Sequence, residues 1–408
     1  MEQYITAGID LGNGYVKAVI DKFMSSEPSL AAKQFNTSKN LPLTDDAVPD
    51  FMENIWDNMD LSFSSPLVTS MERRLFGERA LKSGLTLEEF NVYNHVSKAD
   101  VDLSGVLALA TLASDALKAY YKTTGQLPTE TVELNVNLAV ALPIREYAQH
   151  APTYRQNFLN GGASHMVTFH NFKTPVRFAI TIANVMIINE GESAQYGLYF
   201  SNERVQGVIE QEAKRRYTNG ELADATGRDL VQAKNTLGID IGEGTIDFAV
   251  FSNGRFNPDS STTLNAGYGT VLETTLGELQ QQNHPYKSRK ELAEFLNSEP
   301  GVFARQKHNH VKEVNAEQER RFAVTVANKV TEVFSNVGSF TEVIFIYGGG
   351  ATPLEWVLFE EVKKCVEGFG ANNFVPIVYL DSMYSRYLNV QGLYEVAARL
   401  GKKAGTTV

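Results

Sequence analysis

The sequence is most informative first in what it lacks. It has one cysteine, Cys365, so no internal disulfide can form and a reducing compartment is expected. It has no long apolar run: 132–143 and 178–188 fall short of the about 18 residues a membrane helix needs, and polar residues interrupt both. Positive charge is in deficit, with 37 Lys+Arg against 48 Asp+Glu and a net charge of −11. That excludes a general DNA coat, which needs a basic face. An anionic ligand would have to be held by backbone N–H groups and a metal ion. Residues 1–10 carry Glu2 and Asp10 and no basic run, so a signal peptide is not expected and a cytoplasmic protein is. A Walker A loop is missing, because Gly12-Asn-Gly14-Tyr-Val-Lys17 has the wrong spacing, and no G-x-G-x-x-G precedes an acidic residue. Apolar residues are not in short supply. At 43% of 408 residues they can fill the cores of two or three domains of roughly 100–200 residues each.

Along the chain, 4–11 and 15–21 alternate as strands around the turn Gly12-Asn13-Gly14, since Asn-Gly between apolar runs is a strong hairpin signal. Residues 24–66 are rich in Ser, Pro, Asn and Asp and read as an irregular, exposed insertion; 73–83 reads as a short strand leading into a helix. Helical spacing over 106–121 ends at Gly125 and Pro128. Strands are expected at 132–142 and 178–188. A charged helical stretch covers 203–235, with Gly220 and Gly227 as breaks. Strands at 237–241 and 245–251 flank Gly242-Glu243-Gly244. Helices follow at 268–282, 288–297 and 316–337, then a strand at 343–347, Gly348-Gly349-Gly350, a helix at 354–368, a strand at 374–380 and a helix at 390–400. Alternating strands and helices make an α/β protein.

An internal repeat outweighs any single element. Asp10-Leu-Gly12-Asn-Gly14 and Asp240-Ile-Gly242-Glu-Gly244 share the pattern D-x-G-x-G, each inside a strand–turn–strand and each preceded by Gly-Ile. One copy is an ordinary glycine turn. Two in matching contexts read as phosphate-gripping hairpins facing each other across a cleft: glycine lets backbone N–H groups approach an anion. An aspartate at each strand end can hold Mg²⁺ through water, since this hard ion takes a few carboxylates plus phosphate oxygens. The apolar strand running into Gly348-Gly349-Gly350 and then a helix offers bare backbone against which a flat ring or sugar can lie.

With these three motifs the chain resembles the actin-like ATPase superfamily of actin, sugar kinases and heat-shock chaperones. Residues 10–17 are similar to its first phosphate motif, 240–247 to its second, and 343–353 to its adenosine motif. Within it, the chain is most similar to bacterial plasmid-segregation actins of the ParM/StbA type. The strand 132–142 ending in Leu142-Pro143-x-x-x-Tyr147, then Asn160-Gly161-Gly162, then 185–191 with Glu190, and finally Asn389-x-x-Gly392-x-Tyr394 carry that similarity.

The resemblance implies an actin-like, ribonuclease H-like two-domain α/β fold with a nucleotide cleft. Domain I would be 1–195, with 24–80 as a small subdomain insertion, completed by 375–408; domain II would be 196–374. It implies that Asp10 and Asp240 hold Mg²⁺ through water, and that Lys17 reaches the β/γ-phosphates. Gly12, Asn13, Gly14, Gly242, Glu243, Gly244 and Thr245 would cradle phosphates, and Gly348, Gly349 and Gly350 the nucleoside. Glu190 lies where the family keeps the acid that positions the attacking water, with Glu192 the alternative two residues away. The implied activity is hydrolysis of ATP or GTP with Mg²⁺. The implied partners are other copies of the chain, in a polar filament, and a small DNA-binding adaptor on a centromere-like site, with no direct DNA or membrane binding.

A small-molecule kinase on the same fold is the alternative, as is a cell-shape or division actin. The kinase would need a base for a substrate hydroxyl and a sugar loop, and no motif supplies either. A chaperone-type ATPase would need a separate peptide-binding domain, and the division type a terminal amphipathic helix, which 401–408 does not offer. His308-x-His310 reads as part of a solvated helix, not a metal pair. Lys214-Arg215-Arg216 and Arg320-Arg321 read as solvated helix faces, and Trp56 and Trp356 as packing residues.

Overall fold

The structure, a computed structural model, describes residues 2–35, 42–90, 96–284, 286, 288–337, 340–369, 374–380 and 382–403. Residues 36–41 of the expected insertion and 404–408 of the tail lie outside these. The chain forms two units, Met1–Phe200 with Asn389–Val408, and Ser201–Leu388.

The first unit is built on a sheet that runs β3-β2-β1-β8-β10-β9-β5-β6-β4-β7. In chain order the strands are β1 (Glu2–Leu11), β2 (Tyr15–Ile20), β3 (Phe23–Pro28), β4 (Leu30–Gln34), β5 (Asp60–Ser64), β6 (Arg73–Phe76), β7 (Leu87–Glu89), β8 (Val132–Leu142), β9 (His165–Phe169) and β10 (Val176–Asn189). β1, β8 and β10 are parallel neighbours, which requires crossover connections; β1 and β2 form the antiparallel hairpin. The helix Asp102–Thr124 buries Val106, Leu109, Leu112, Ala113, Ala116 and Leu117, and Gly125 ends it in the left-handed conformation at φ 69°, donating its N–H to Tyr121 O. Its apolar residues share one core with Ile5, Ala7 and Ile9 of β1, Val136, Leu138 and Val140 of β8 and Ile180 and Ile182 of β10, while Ala139, Ala141 and Ile188 pack with Leu393 and Ala397 instead.

The described residues of 24–66 are not irregular. They contribute β3, β4, β5 and the short helices Val48–Glu53 and Ile55–Asn58, and Phe51, Met52, Ile55, Trp56 and Met59 are each at most 5% exposed. Pro49 lies in the first turn of a helix, where its missing N–H costs nothing. The Asn171 side chain ties the segment down, accepting the Asp60 N–H at 3.0 Å and donating to Asn58 O at 2.8 Å. Trp56 packs edge-to-face on Phe76, the packing role expected of it.

The second unit has a sheet in the order β13-β12-β11-β15-β16, with β14 also on β12. Its strands are β11 (Thr236–Ile241), β12 (Ile246–Ser252), β13 (Arg255–Phe256), β14 (Thr262–Leu264), β15 (Val343–Tyr347) and β16 (Ile377–Tyr379). β11–β12 repeats the β1–β2 hairpin, and β15 lies parallel to β11 as β8 does to β1. β16 corrects the expected boundary at 375. It pairs parallel with β15, Ile344 opposite Ile377, and the Ile377 N–H donates to the Tyr217 hydroxyl at 2.9 Å, so the chain rejoins the first unit at Asn389.

The helix Arg305–Val337 starts before the expected residue 316 and so takes in both histidines. His308 is buried with Nε2 3.1 Å from Phe295 O, and His310 Nε2 lies 2.7 Å from Gln282 Oε1. His308 therefore braces two helices and is not on a solvated face.

The returning helix Leu388–Lys403 packs without room for a side chain at its closest points. A Cβ on Gly392 would fall 1.7 Å from Ser193 O, and one on Gly8 2.2 Å from Tyr394 N. The segment Asn389-x-x-Gly392-x-Tyr394 thus closes the first unit against β1 and the helix Glu190–Tyr199.

Candidate functional site

In the first hairpin, Asp10 and Lys17 are cross-strand partners, so their side chains share a face, and Lys17 Nζ lies 3.7 Å from Asp10 Oδ2. Asp10 is 7% exposed. Gly12, Asn13 and Gly14 form the turn. Ser29 anchors it through its carbonyls, its hydroxyl donating to Gly12 O at 2.7 Å and its N–H to Gly14 O at 3.0 Å.

Glu190 is the first residue of the helix Glu190–Tyr199, directly after β10. Burial pushes its carboxyl above the usual range. Lys98 opposes that rise, and the charges of Asp10 and Glu146 add to it. Asp10 and Glu190 therefore belong to one charged cluster. Sequence reasoning missed its third member: Lys98 Nζ is 3.0 Å from Glu190 Oε1. Burial pulls the Lys98 ammonium down, but the carboxylates of Glu190, Asp10 and Glu146 outweigh it and hold it above its ordinary value. The only signal available in sequence was a lysine in a polar stretch. Glu192 is engaged elsewhere, in the cap of its own helix with Asn189.

In the second hairpin Asp240 is opposite Asp247, the register position that Lys17 holds in the first. Asp247 accepts the Thr263 hydroxyl at 2.5 Å. The turn of Gly242, Glu243, Gly244 and Thr245 is closed by Gly242 N–H to Thr245 O at 2.9 Å. The first turn of the helix Tyr268–Gln281 fixes it from outside, Tyr268 N–H donating to Gly242 O at 3.0 Å and Gly269 N–H to Glu243 O at 2.8 Å.

The three glycines after β15 differ in what they do. Gly348 has φ 100°, and a Cβ there would meet Asp240 Oδ1 at 2.3 Å; one on Gly350 would meet Tyr268 Cβ at 2.8 Å. Only Gly349 faces open space. Two of the three glycines are thus explained by close packing on the Asp240–Gly242 hairpin, and Gly349 alone of the three is not.

Further along the same unit, Glu319 is 6% exposed and accepts hydrogen bonds from Tyr268 Oη, Asn315 Nδ2 and Trp356 Nε1, each at 2.8 Å. Trp356 is half exposed and acts as a hydrogen-bond donor to a buried acid more than as packing. Arg216 is not on a solvated face: it pairs with Glu355 and lies over the rings of Phe359 at 4.5 Å and Tyr379 at 5.5 Å. Lys214 and Arg215 do make exposed helix pairs, with Glu210 and Glu212.

Comparison with known proteins agrees with this architecture. Residues 8–192 match the family described as actin-like proteins, N-terminal domain, and 238–360 match the archaeal actin homologue MreB-like, C-terminal family. Both segments are thus similar to actin-like families, one in each unit. The solved structure of the actin-like protein Alp7A is similar at 15% identity with TM-score 0.66, covering 99% of both chains. Ta0583, an archaeal actin homologue in complex with ADP, gives 15% identity and TM-score 0.62 over 97% of this chain and 99% of that one. Bacillus thuringiensis ParM with ATP gives 14% and 0.58 over 98% and 100%. No curated protein sequence matches. At these identities the structural likeness establishes the fold, and this actin-like chain carries both D-x-G-x-G hairpins on matching β-hairpins, one per unit. Among the described residues no helix is long and apolar enough to cross a membrane.

Proposed function

We propose that this actin-like chain binds and hydrolyses ATP or GTP with Mg²⁺, assembles head-to-tail into filaments, and segregates plasmid or other DNA through a DNA-binding adaptor. The observation that carries the reading is the Asp10–Lys17 pair beside the first glycine turn, with the charge of Asp10 acting on Glu190. Asp10 would serve as the acid for a metal-bound water, Lys17 as the cation for phosphate oxygens and Glu190 as the acid for the attacking water. The second hairpin would offer Asp240 and the backbone of Gly242, Glu243, Gly244 and Thr245 to phosphate, as the first would offer Gly12, Asn13 and Gly14.

The donor set fits the ligand. Buried Asp10 offers hard oxygen and Lys17 a positive charge, as a magnesium–polyphosphate needs. Among the described residues no group of three or more His, Cys, Asp or Glu could hold a metal alone, so the ion would arrive with the nucleotide. When bound, the nucleotide supplies the scissile anhydride and the metal neutralises its charge. Phosphoryl transfer is governed by positioning and electrostatics. Glu190 would orient the water, Lys17 would draw charge from the transferred group, and the glycine turns would fix the phosphates. Gly349 would carry the nucleoside.

Nucleotide complexes of Ta0583 and of Bacillus thuringiensis ParM support binding, and the solved non-polymerisable quadruple mutant of pCBH ParM supports self-assembly. A heterologous contact that does not close makes a filament. With net charge −11, DNA would be gripped by the adaptor and not by this chain.

The test is equilibrium titration with fluorescent ATP and GTP, with and without Mg²⁺, alongside phosphate release. Magnesium-dependent binding and turnover of at least one nucleotide is expected. Binding of neither at tens of micromolar contradicts the reading.

A further inference from the structure

The approach to the Asp102–Thr124 helix carries a buried cation that no sequence motif marks. Lys98 and Glu190 are 92 residues apart in sequence, and their side chains are 13% and 18% exposed where they meet at 3.0 Å. The backbone around Lys98 is fixed from a second direction. Glu146 Oε2 accepts both the Ser97 hydroxyl at 2.6 Å and the Lys98 N–H at 2.9 Å, and His150 Nδ1 lies 3.1 Å from Asp100 Oδ2. Both anchors come from the helix Ile144–Leu159. The ring of Phe90 lies 5.7 Å from the ammonium. Lys98 is therefore held at its backbone by one acid and at its tip by another.

Stability alone does not account for this pair. An acid in the first turn of a helix is already favoured by the helix dipole and does not need a cation. Desolvating a lysine is costly, and buried ion pairs return little net stability over apolar packing. What the pair does provide is direction: a charge-assisted hydrogen bond restricts a glutamate that otherwise has three free torsions.

We propose that Lys98 is a positioning residue for Glu190, holding its carboxylate in the orientation that addresses the attacking water, and that the segment 97–100, stapled by Glu146, sets how well it does so. This rests on the reading of Glu190 as the water-positioning acid.

The experiment uses the full chain and the variants Lys98→Met, Lys98→Arg, Glu190→Gln and the Lys98→Met/Glu190→Gln double. Lys98→Met should slow single-turnover phosphate release roughly 10–100-fold, the usual scale for an outer-shell partner, with nucleotide Kd within about threefold of wild type. Lys98→Arg, which keeps the charge, should recover most of the rate. A second readout needs no nucleotide. Thermal unfolding of the free protein should show Lys98→Met lowering Tm by about 5 °C or more, and that loss should shrink when Glu190 is already Gln.

Wild-type release by Lys98→Met overturns the inference. So does a loss confined to Kd, which would make Lys98 a phosphate ligand, and so does a Tm loss that is the same in the Glu190→Gln background. A wild type that turns over neither nucleotide overturns the reading of Glu190, and the inference with it. A wild type that turns over while Lys98→Met matches it overturns the inference alone.

Discussion

Glu192 and Asn189 cap the helix Glu190–Tyr199 reciprocally. Glu192 Oε2 accepts the Asn189 N–H at 3.4 Å, while Asn189 Oδ1 accepts the Gly191 N–H at 2.9 Å and also faces the Glu192 N–H. This capping box gives Glu192 a structural task, and it leaves Glu190, one residue past the cap, to face Asp10 and Lys98.

The two acids should therefore fail differently. Glu190→Ala should keep nucleotide binding and lose about 100-fold or more in turnover, the usual contribution of a positioned acid or base. Glu192→Ala should turn over normally and lose about 1 kcal/mol of stability, as a broken cap does. Phosphate release and chemical denaturation on both variants distinguish the roles. The reverse pattern would move the proposed acid to Glu192.

Gly348 and Gly349 give a second pair. At φ 100° and with Asp240 Oδ1 2.3 Å from the place a Cβ would take, Gly348→Ala should cost about 2 kcal/mol or more, read as a lower unfolding midpoint. Gly349→Ala meets open space and should be as stable as the wild type. If the nucleoside lies on this backbone, Gly349→Ala should weaken nucleotide binding about tenfold, a change of roughly 1.4 kcal/mol. Unchanged affinity would remove Gly349 from the site.

Asp115, on the helix Asp102–Thr124, makes stability depend on pH. Burial pushes its pKa up to about 6 from 3.8; the charge of Asp21 adds to the rise and Lys118 opposes it. The folded state thus holds this proton more tightly than the unfolded chain does. The stability this contributes is full below about pH 4 and is lost as pH rises through about 6. At neutral pH the buried carboxylate is a penalty, so Asp115→Asn should stabilise the protein there by about 1–3 kcal/mol, with the gain gone near pH 4. Urea denaturation at both pH values checks this. A gain that is the same at both would mean that the asparagine acts through packing.

Much of this was legible in the sequence because the signals were local. Asn-Gly between alternating residues gave β1–β2, and the repeated Asp-x-Gly-x-Gly marked its counterpart β11–β12. The 3.6-residue spacing up to Gly125 gave the Asp102–Thr124 helix. What escaped was set by distant partners. β5 is five residues long and is held by β9, with Leu61 opposite Phe169, so its local composition of Ser and Asp outweighed its pattern. β16 was legible as a strand, but the unit it joins was not, because that is set by its pairing with β15. Lys98 has no periodic context, and only folding brings it to Glu190. The charged start of the Arg305–Val337 helix hid the burial of His308. The three glycines were legible as a loop, but nothing local separates Gly349, in open space, from Gly348 and Gly350, which the second hairpin presses on.

If nucleotide drives this chain to assemble, sedimentation paired with electron microscopy will show it. Protein at tens of micromolar would be mixed with Mg²⁺ and ATP, GTP or a slowly hydrolysed analogue of either, and compared with a nucleotide-free control. Filaments should pellet with at least one nucleotide and not in the control, a non-closing head-to-tail contact switched on by ligand. With Glu190→Ala, the filaments should form and persist after nucleotide is withdrawn. A chain that stays monomeric with every nucleotide and analogue would contradict it.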